Sequence, residues 1–254
     1  MQELLIIASA FAIGAFVQTI AGFGSALVIM PILTVFVGVQ PAATVMAIVG
    51  FTVVVVVLYQ NWHGLRWKEA ALLLCGSVVG IPVGAMALKS LPAAPVVAFL
   101  GVIMLAYAGY SFWSSGQATA DSQESPRVVT LADRVIGVLV GFCAGLLGGA
   151  YATDGPPLIV YGAAKRWPKE SFRSILQACF FVNGIVILLC YGVGGLFTRE
   201  VVTYCAYGIP GMGVGIALGT VLDRRINHAR FHRVLLAMIL LLGGVLVARA
   251  AFMK

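Results

Sequence analysis

Two glycine-rich interruptions in an otherwise apolar chain gather its chemically useful side chains. Gln18, Thr19 and Ser25 surround Gly22-Phe23-Gly24, and Tyr151, Thr153 and Asp154 precede Gly155-Pro156-Pro157. A new apolar segment starts after each interruption, near Ser25 and near Gly155. A helix beginning there leaves its first-turn N–H groups unsatisfied and presents the positive end of its dipole, a ready anion site. Apart from Arg249, no Lys or Arg falls inside an apolar segment. An anion is therefore expected to be held by backbone dipoles and neutral donors, which suits a carrier that must release what it binds. Gln18, Thr19, Ser25, Tyr151, Thr153 and Asp154 are the candidate ligands read from the residues themselves.

Asp154 differs from the other carboxylates. Glu69, Asp133, Glu170, Glu200 and Asp223 sit at segment ends, whereas Asp154 lies at an interruption expected near the bilayer midplane. Ionisable groups at that depth are costly and often carry protons. An Asp directly before Gly-Pro-Pro also reads as an N-cap with proline in the first helical turn, and the two roles are compatible. On the first reading, protonation of Asp154 permits anion occupancy and couples proton to anion movement. Thr52, Gln177 and Asn183 are read as interhelical hydrogen-bonding residues. His63, His228 and His232 are read as solvated residues of basic loops, and Trp62, Trp67, Trp113, Trp167 and Tyr110 as interface anchors. The five cysteines lie in apolar runs without CxxC pairing and read as small hydrophobes. No metal-ligand cluster or cofactor motif is evident. A lipid-phosphate hydrolase would need an Arg, a His or paired carboxylates at the membrane surface, and Ser25 has no base beside it.

The elements that must position these residues follow from composition. Hydrophobic residues make up 61% of 254 and charged residues 10%, with a mean hydropathy of +1.04. Soluble domains carry about 45–50% apolar and about 25% charged residues, so this chain is solvated mainly by lipid. Nucleic-acid binding is not implied by the net charge of +7, because basic residues of membrane proteins collect in cytoplasmic loops. Apolar runs occur at Leu4–Ile20, Ser25–Val39, Ala42–Tyr59, Ala70–Leu88 and Ala94–Phe112. A polar linker at 114–131 follows, then Val135–Leu147, Pro156–Tyr161, Ser174–Tyr191, Val201–Leu222 and Val234–Phe252. Glu3, where a secretory signal would carry a basic residue, makes the first run a retained membrane segment.

The halves 1–113 and 132–254 resemble each other. Residues 21–33 align without a gap on 147–159, pairing Gly22 with Gly148, and the ladder Gly76, Gly80, Gly84 recurs as Gly211, Gly215, Gly219. If segments one and two descend and return, and six and seven likewise, each half crosses an odd number of times. Of the 16 basic residues, 12 (66, 68, 127, 134, 165, 166, 169, 173, 224, 225, 230, 233) then share one face, and 4 (89, 199, 249, 254) the other. A single kinked crossing per pair would erase that asymmetry. The positive-inside rule thus favours the returning pairs, with both termini periplasmic. The expected fold is an all-α integral membrane protein of two inverted repeats of five hydrophobic segments each. Broken or re-entrant helix pairs meet near the bilayer midplane, a sequence pointer to a transport site.

The stretches FVQTIAGFGSALVIMPIL (16–33) and GLLGGAYATDGPPLIVYGAAKRW (145–167) together resemble the paired signature of the TauE/SafE family of membrane transporters. The resemblance spans essentially the whole chain. It implies a bacterial inner-membrane carrier of sulfite, sulfoacetate or another small organosulfur anion, working in export. It places Gln18, Gly22, Phe23, Gly24, Gly148, Gly149, Gly155 and Pro156 at the family's core motifs. The chain departs from the family's usual pattern at Asp154, where a glycine ordinarily precedes Gly-Pro-Pro. An anion channel, or an importer of a small carboxylate or thiosulfate-like anion, remains the alternative. The expected partners are the solute and the lipid bilayer, with a monomer or a homodimer both open.

Overall fold

A computed structural model describes residues 2–21, 24–60, 67–90, 93–115, 131–165, 167, 169–222 and 228–252. Ten helices make up the described chain: α1 (Gln2–Ala21), α2 (Ser25–Val37), α3 (Val39–Gln60), α4 (Trp67–Ser90), α5 (Ala93–Ser115), α6 (Leu131–Tyr151), α7 (Gly155–Ala164), α8 (Lys169–Val193), α9 (Arg199–Leu222) and α10 (His228–Phe252). Long apolar runs become helices because lipid offers no partner for backbone N–H and C=O groups, which must then be satisfied within the segment. Six of these helices, α1, α3, α4, α6, α8 and α9, are long and apolar enough to cross a bilayer. Large apolar side chains such as Leu5, Val79, Met86, Leu139, Leu189 and Leu241 point outward, as lipid contact requires. The molecule is a multi-pass membrane protein.

α2 and α7 are short. Their 13 and 10 residues give about 20 and 15 Å of helix at 1.5 Å per residue, less than the hydrocarbon thickness of about 30 Å. Both fold back along the preceding helix. A methyl group added at Gly14 of α1 would overlap Ile29 of α2, and Ser25 reaches back to Gln18. In the second pair, Lys165 after α7 forms an ion pair with Asp133 in the first turn of α6. A chain that returns to its own starting level is a hairpin, not a kinked single crossing.

Close helix contacts come from glycine. On α4, Gly76, Gly80 and Gly84 face the backbone of Val138, Phe142 and Leu146 on α6, while Gly141, Gly145 and Gly149 face Leu73, Ser77 and Ile81 in return. On α9, Gly211, Gly215 and Gly219 face Ala8, Ala12 and Phe16 with Thr19 on α1. In both interfaces residue numbers rise together, so the paired helices run parallel. Small residues four apart permit this approach of backbones. α5 and α10 pack together, α10 also touching α2 and α5 touching α7.

One detail of the expected alignment is corrected. α2 and α7 start 130 residues apart, at Ser25 and Gly155, and not at the 126 implied by pairing 21–33 with 147–159. The contacts of the glycine ladders agree, since Ala8, Ala12 and Phe16 lie 130 residues before Val138, Phe142 and Leu146. Gly148 sits inside α6. Several residues named from the sequence (Gly22, Phe23, Trp62, His63, Arg66, Arg127, Arg166, Asp223, Arg224, Arg225, Lys254) lie outside the described residues, as does 116–130 of the linker.

Candidate functional site

Both chain breaks open on one cavity of about 80 Å³. A water-sized group needs about 10–15 Å³ by this measure, so the space admits a solute of several heavy atoms. Its walls come from the first break (Gln18, Gly24, Ser25, Leu27), from the second (Ala152, Thr153, Asp154, Gly155, Pro156), from α3 (Met46, Gly50, Phe51) and from α8 (Phe180, Gly184, Ile187). Asp154 is the single charged side chain among the described lining residues.

The first break turns at Gly24, whose φ of 100° and ψ of 0° put it in the left-handed region that glycine adopts freely. No side chain caps the helix that follows. The N–H groups of Ser25, Ala26 and Leu27 precede the first intrahelical bond and have no side-chain cap. The Ser25 hydroxyl donates to the carbonyl oxygen of Gln18, and both side chains are buried.

The second break turns at Ala152, with φ 50°. A Cβ in that region costs about 1–2 kcal/mol, which the surroundings impose. The Ala152 N–H still reaches the Gly148 carbonyl at 2.8 Å, closing α6 as a left-handed cap does. Thr153 Oγ1 donates to the Tyr151 carbonyl at 2.9 Å. Asp154 immediately precedes α7, and its carboxylate accepts from Asn183 Nδ2 on α8 at 2.7 Å.

This geometry bears on the capping reading of Asp154. An N-cap side chain accepts from the N–H of the second or third helical residue. With α7 starting at Gly155, those residues are Pro156 and Pro157, which have no N–H. Asp154 has nothing to cap. The same prolines leave α7 fewer free donors than α2, so the two helix ends are unequal as anion ligands.

Seven of the residues expected from the sequence, Gln18, Gly24, Ser25, Thr153, Asp154, Gly155 and Pro156, come together on the cavity. Four do not line it. Thr19 bonds the Ala15 carbonyl at 2.8 Å and lies against Gly219. Gly148 leaves room for the Asp154 side chain, since a Cβ there would lie 3.2 Å from Asp154 Cβ. Gly149 belongs to the α4–α6 contact, and its carbonyl accepts from Tyr191 at 2.8 Å. Tyr151 is buried beside the break. Asn183 is interhelical as expected, and Thr52 bonds back to the Ile48 carbonyl at 3.1 Å. Phe51, Phe180 and Ser77 were not singled out by sequence. Phe51 stacks on Phe181 across the α3–α8 contact, with centroids 5.6 Å apart.

Comparison with known proteins matches this architecture to transporters. A probable sulfite/organosulfonate exporter TauE of Cupriavidus necator is 25% identical over 243 residues, covering 93% of this chain and 91% of the relative. No solved structure matches the chain. The family model described as sulfite exporter TauE/SafE matches residues 6–246. With its motifs, membrane helices and near full-length match in agreement, the chain belongs to the TauE/SafE family, a family of transporters and not of enzymes.

Proposed function

We propose that this protein is a secondary transporter that exports a small sulfur-containing anion, sulfite or an organosulfonate, across the bacterial inner membrane, coupled to protons through Asp154. One observation carries the reading: two chain breaks from opposite halves of the sequence share a cavity in which Asp154 is the one charged side chain among the described lining residues. The relative's description as a sulfite/organosulfonate exporter supports the solute class.

The anion is held in this reading by the uncapped first turn of α2 and by the Gln18 amide, which the Ser25 hydroxyl orients. Since the Gln18 carbonyl oxygen accepts from Ser25, its NH₂ is the group left to donate to a solute. The N-terminal end of α7 completes the cradle from the other side, beside Thr153, whose hydroxyl is held by the Tyr151 carbonyl. A charged carboxylate beside a bound anion is repulsive; a protonated one is neutral and becomes a donor. Proton and anion then occupy the cavity together and leave it together.

Residues 1–113 and 132–254 form two repeats, inverted with respect to each other. The two returning pairs support this, because each half then crosses the bilayer three more times and ends opposite to where it began. The equivalent α4–α6 and α9–α1 contacts support it too. On that topology both termini face the periplasm. Cavity access from alternate sides follows from rocking one repeat against the other.

The test is flux in proteoliposomes made with purified protein and labelled sulfite. Saturable efflux driven by a pH gradient is expected, with the dependence on the gradient lost in Asp154→Asn. Unchanged coupling in that variant removes Asp154 from the mechanism, and flux that never saturates makes the protein a channel.

A further inference from the structure

Asp154 does not stand alone at the cavity wall. Ser77 Oγ on α4 donates to Asn183 Oδ1 on α8 at 2.7 Å, and Asn183 Nδ2 donates to Asp154 Oδ2 at 2.7 Å. Ser77 is 1% exposed, Asn183 0% and Asp154 9%. With its oxygen engaged by Ser77, the Asn183 amide is locked with its NH₂ toward the carboxylate.

The first half supplies an internal control, on the reading that the halves are repeats. The break residues correspond at a spacing of 130, as do the cavity-lining pairs Gly50 with Phe180 and Val54 with Gly184, and the stacked pair Phe51 with Phe181. The glycine ladders of α4 and α9 correspond at 135. Asp154 therefore matches Gly24, Asn183 matches Val53, and Ser77 matches Met212. Val53 and Met212 are buried at 2% and 6%. Where the carboxylate is missing, both supporting polar residues are apolar as well. The fold itself does not need them, since the equivalent helices pack without them.

From this we infer that Asn183 and Ser77 are positioning residues for Asp154: a one-sided relay, present only in the second half, that holds the carboxylate and sets the pH range over which it exchanges its proton. The inference rests on the coupling role proposed above. Other titratable groups near Asp154 are Cys179 and Tyr191 on α8 and Tyr151 on α6. The described cavity-lining residues of α2, α3 and α7 bring no ionisable side chain toward it. Among the described residues, the relay supplies the side-chain hydrogen bond to the carboxylate from outside its own loop.

The test is a pH titration of the Asp154 carboxyl band by infrared spectroscopy on the purified protein in lipid, without solute, alongside sulfite flux. The band is assigned by its loss in Asp154→Gly. Asn183→Val, which installs the residue found in the first half, withdraws a donor from the ionised form. Its titration midpoint is expected to rise by about one pH unit or more, with a smaller rise in Ser77→Ala, which frees the amide to turn. The pH midpoint of flux should move with it. Should Asn183→Val not fold, Ser77→Ala carries the same test, and the double variant Asp154→Gly/Asn183→Val restores the apolar arrangement of the first half. A midpoint unmoved in Asn183→Val, or in Ser77→Ala where that variant alone folds, overturns the relay. A midpoint that moves while wild-type flux ignores pH upholds the relay and removes the coupling reading instead.

Discussion

Replacing Gly80 by alanine places a methyl group where helix α4 has no room. The added Cβ falls against the Phe142 carbonyl oxygen, 2.9 Å from the Leu146 nitrogen and 3.2 Å from the Gly145 carbonyl carbon. All three obstacles are backbone, so no rotamer change relieves them. Restoring ordinary contact requires α4 and α6 to part by about 1 Å, a gap that forfeits up to about half of each dispersion well along the interface. Because the glycines of both helices interlock, the loss extends over three turns. Overpacking ordinarily costs about 1–3 kcal/mol, and a backbone obstacle puts this case near about 3 kcal/mol. For a chain of this size that is a fall in melting temperature of about 6–12 °C, measured on purified protein in detergent. Gly213→Ala is the matched control, since nothing lies within 4 Å of a Cβ there. It should be neutral or gain up to about 1 kcal/mol from helix propensity. Equal melting temperatures for the two variants would refute glycine-mediated contact of α4 and α6.

Two smaller expectations follow from the breaks. Ala152→Gly removes the left-handed strain at φ 50° and should raise stability by up to about 1 kcal/mol, whereas Ala152→Val should lower it; thermal melts of the pair decide, and a stabilising valine would contradict the cap geometry. Ser25→Ala removes the hydroxyl that orients the Gln18 amide at the uncapped end of α2; sulfite affinity, read by thermal stabilisation, should fall about tenfold, and an unchanged affinity would move the anion away from that helix end.

The location of both breaks was legible from glycine and proline spacing, and their return along the preceding helix from segment length and charge asymmetry. The register between the halves was not. Glycine serves two purposes here, turning the chain into α2 at Gly24 and admitting a neighbouring backbone at Gly149, and sequence alone does not separate them. The offset of 126 read from Gly22 and Gly148 differs by four residues from the 130 between the starts of α2 and α7. The lack of an N–H at Pro156 and Pro157 was in plain view and already weakens a capping role for Asp154 once the helix start is known. Ser77 carried no signal at all. A serine amid Gly76, Val78, Val79 and Gly80 looks like any small residue of a packed helix, and only the approach of α4 to α8 reveals its partner.

The central claim is that two opposed chain breaks hold one anion between them. Selenite, the heavier analogue of sulfite, permits a direct measurement by anomalous X-ray scattering from crystals grown in lipid. The expected result is a single selenium peak within hydrogen-bond distance of the first-turn N–H groups of α2 and facing Asp154 across the cavity. A peak elsewhere in the protein, or an empty cavity in crystals of protein whose sulfite flux saturates, would contradict it.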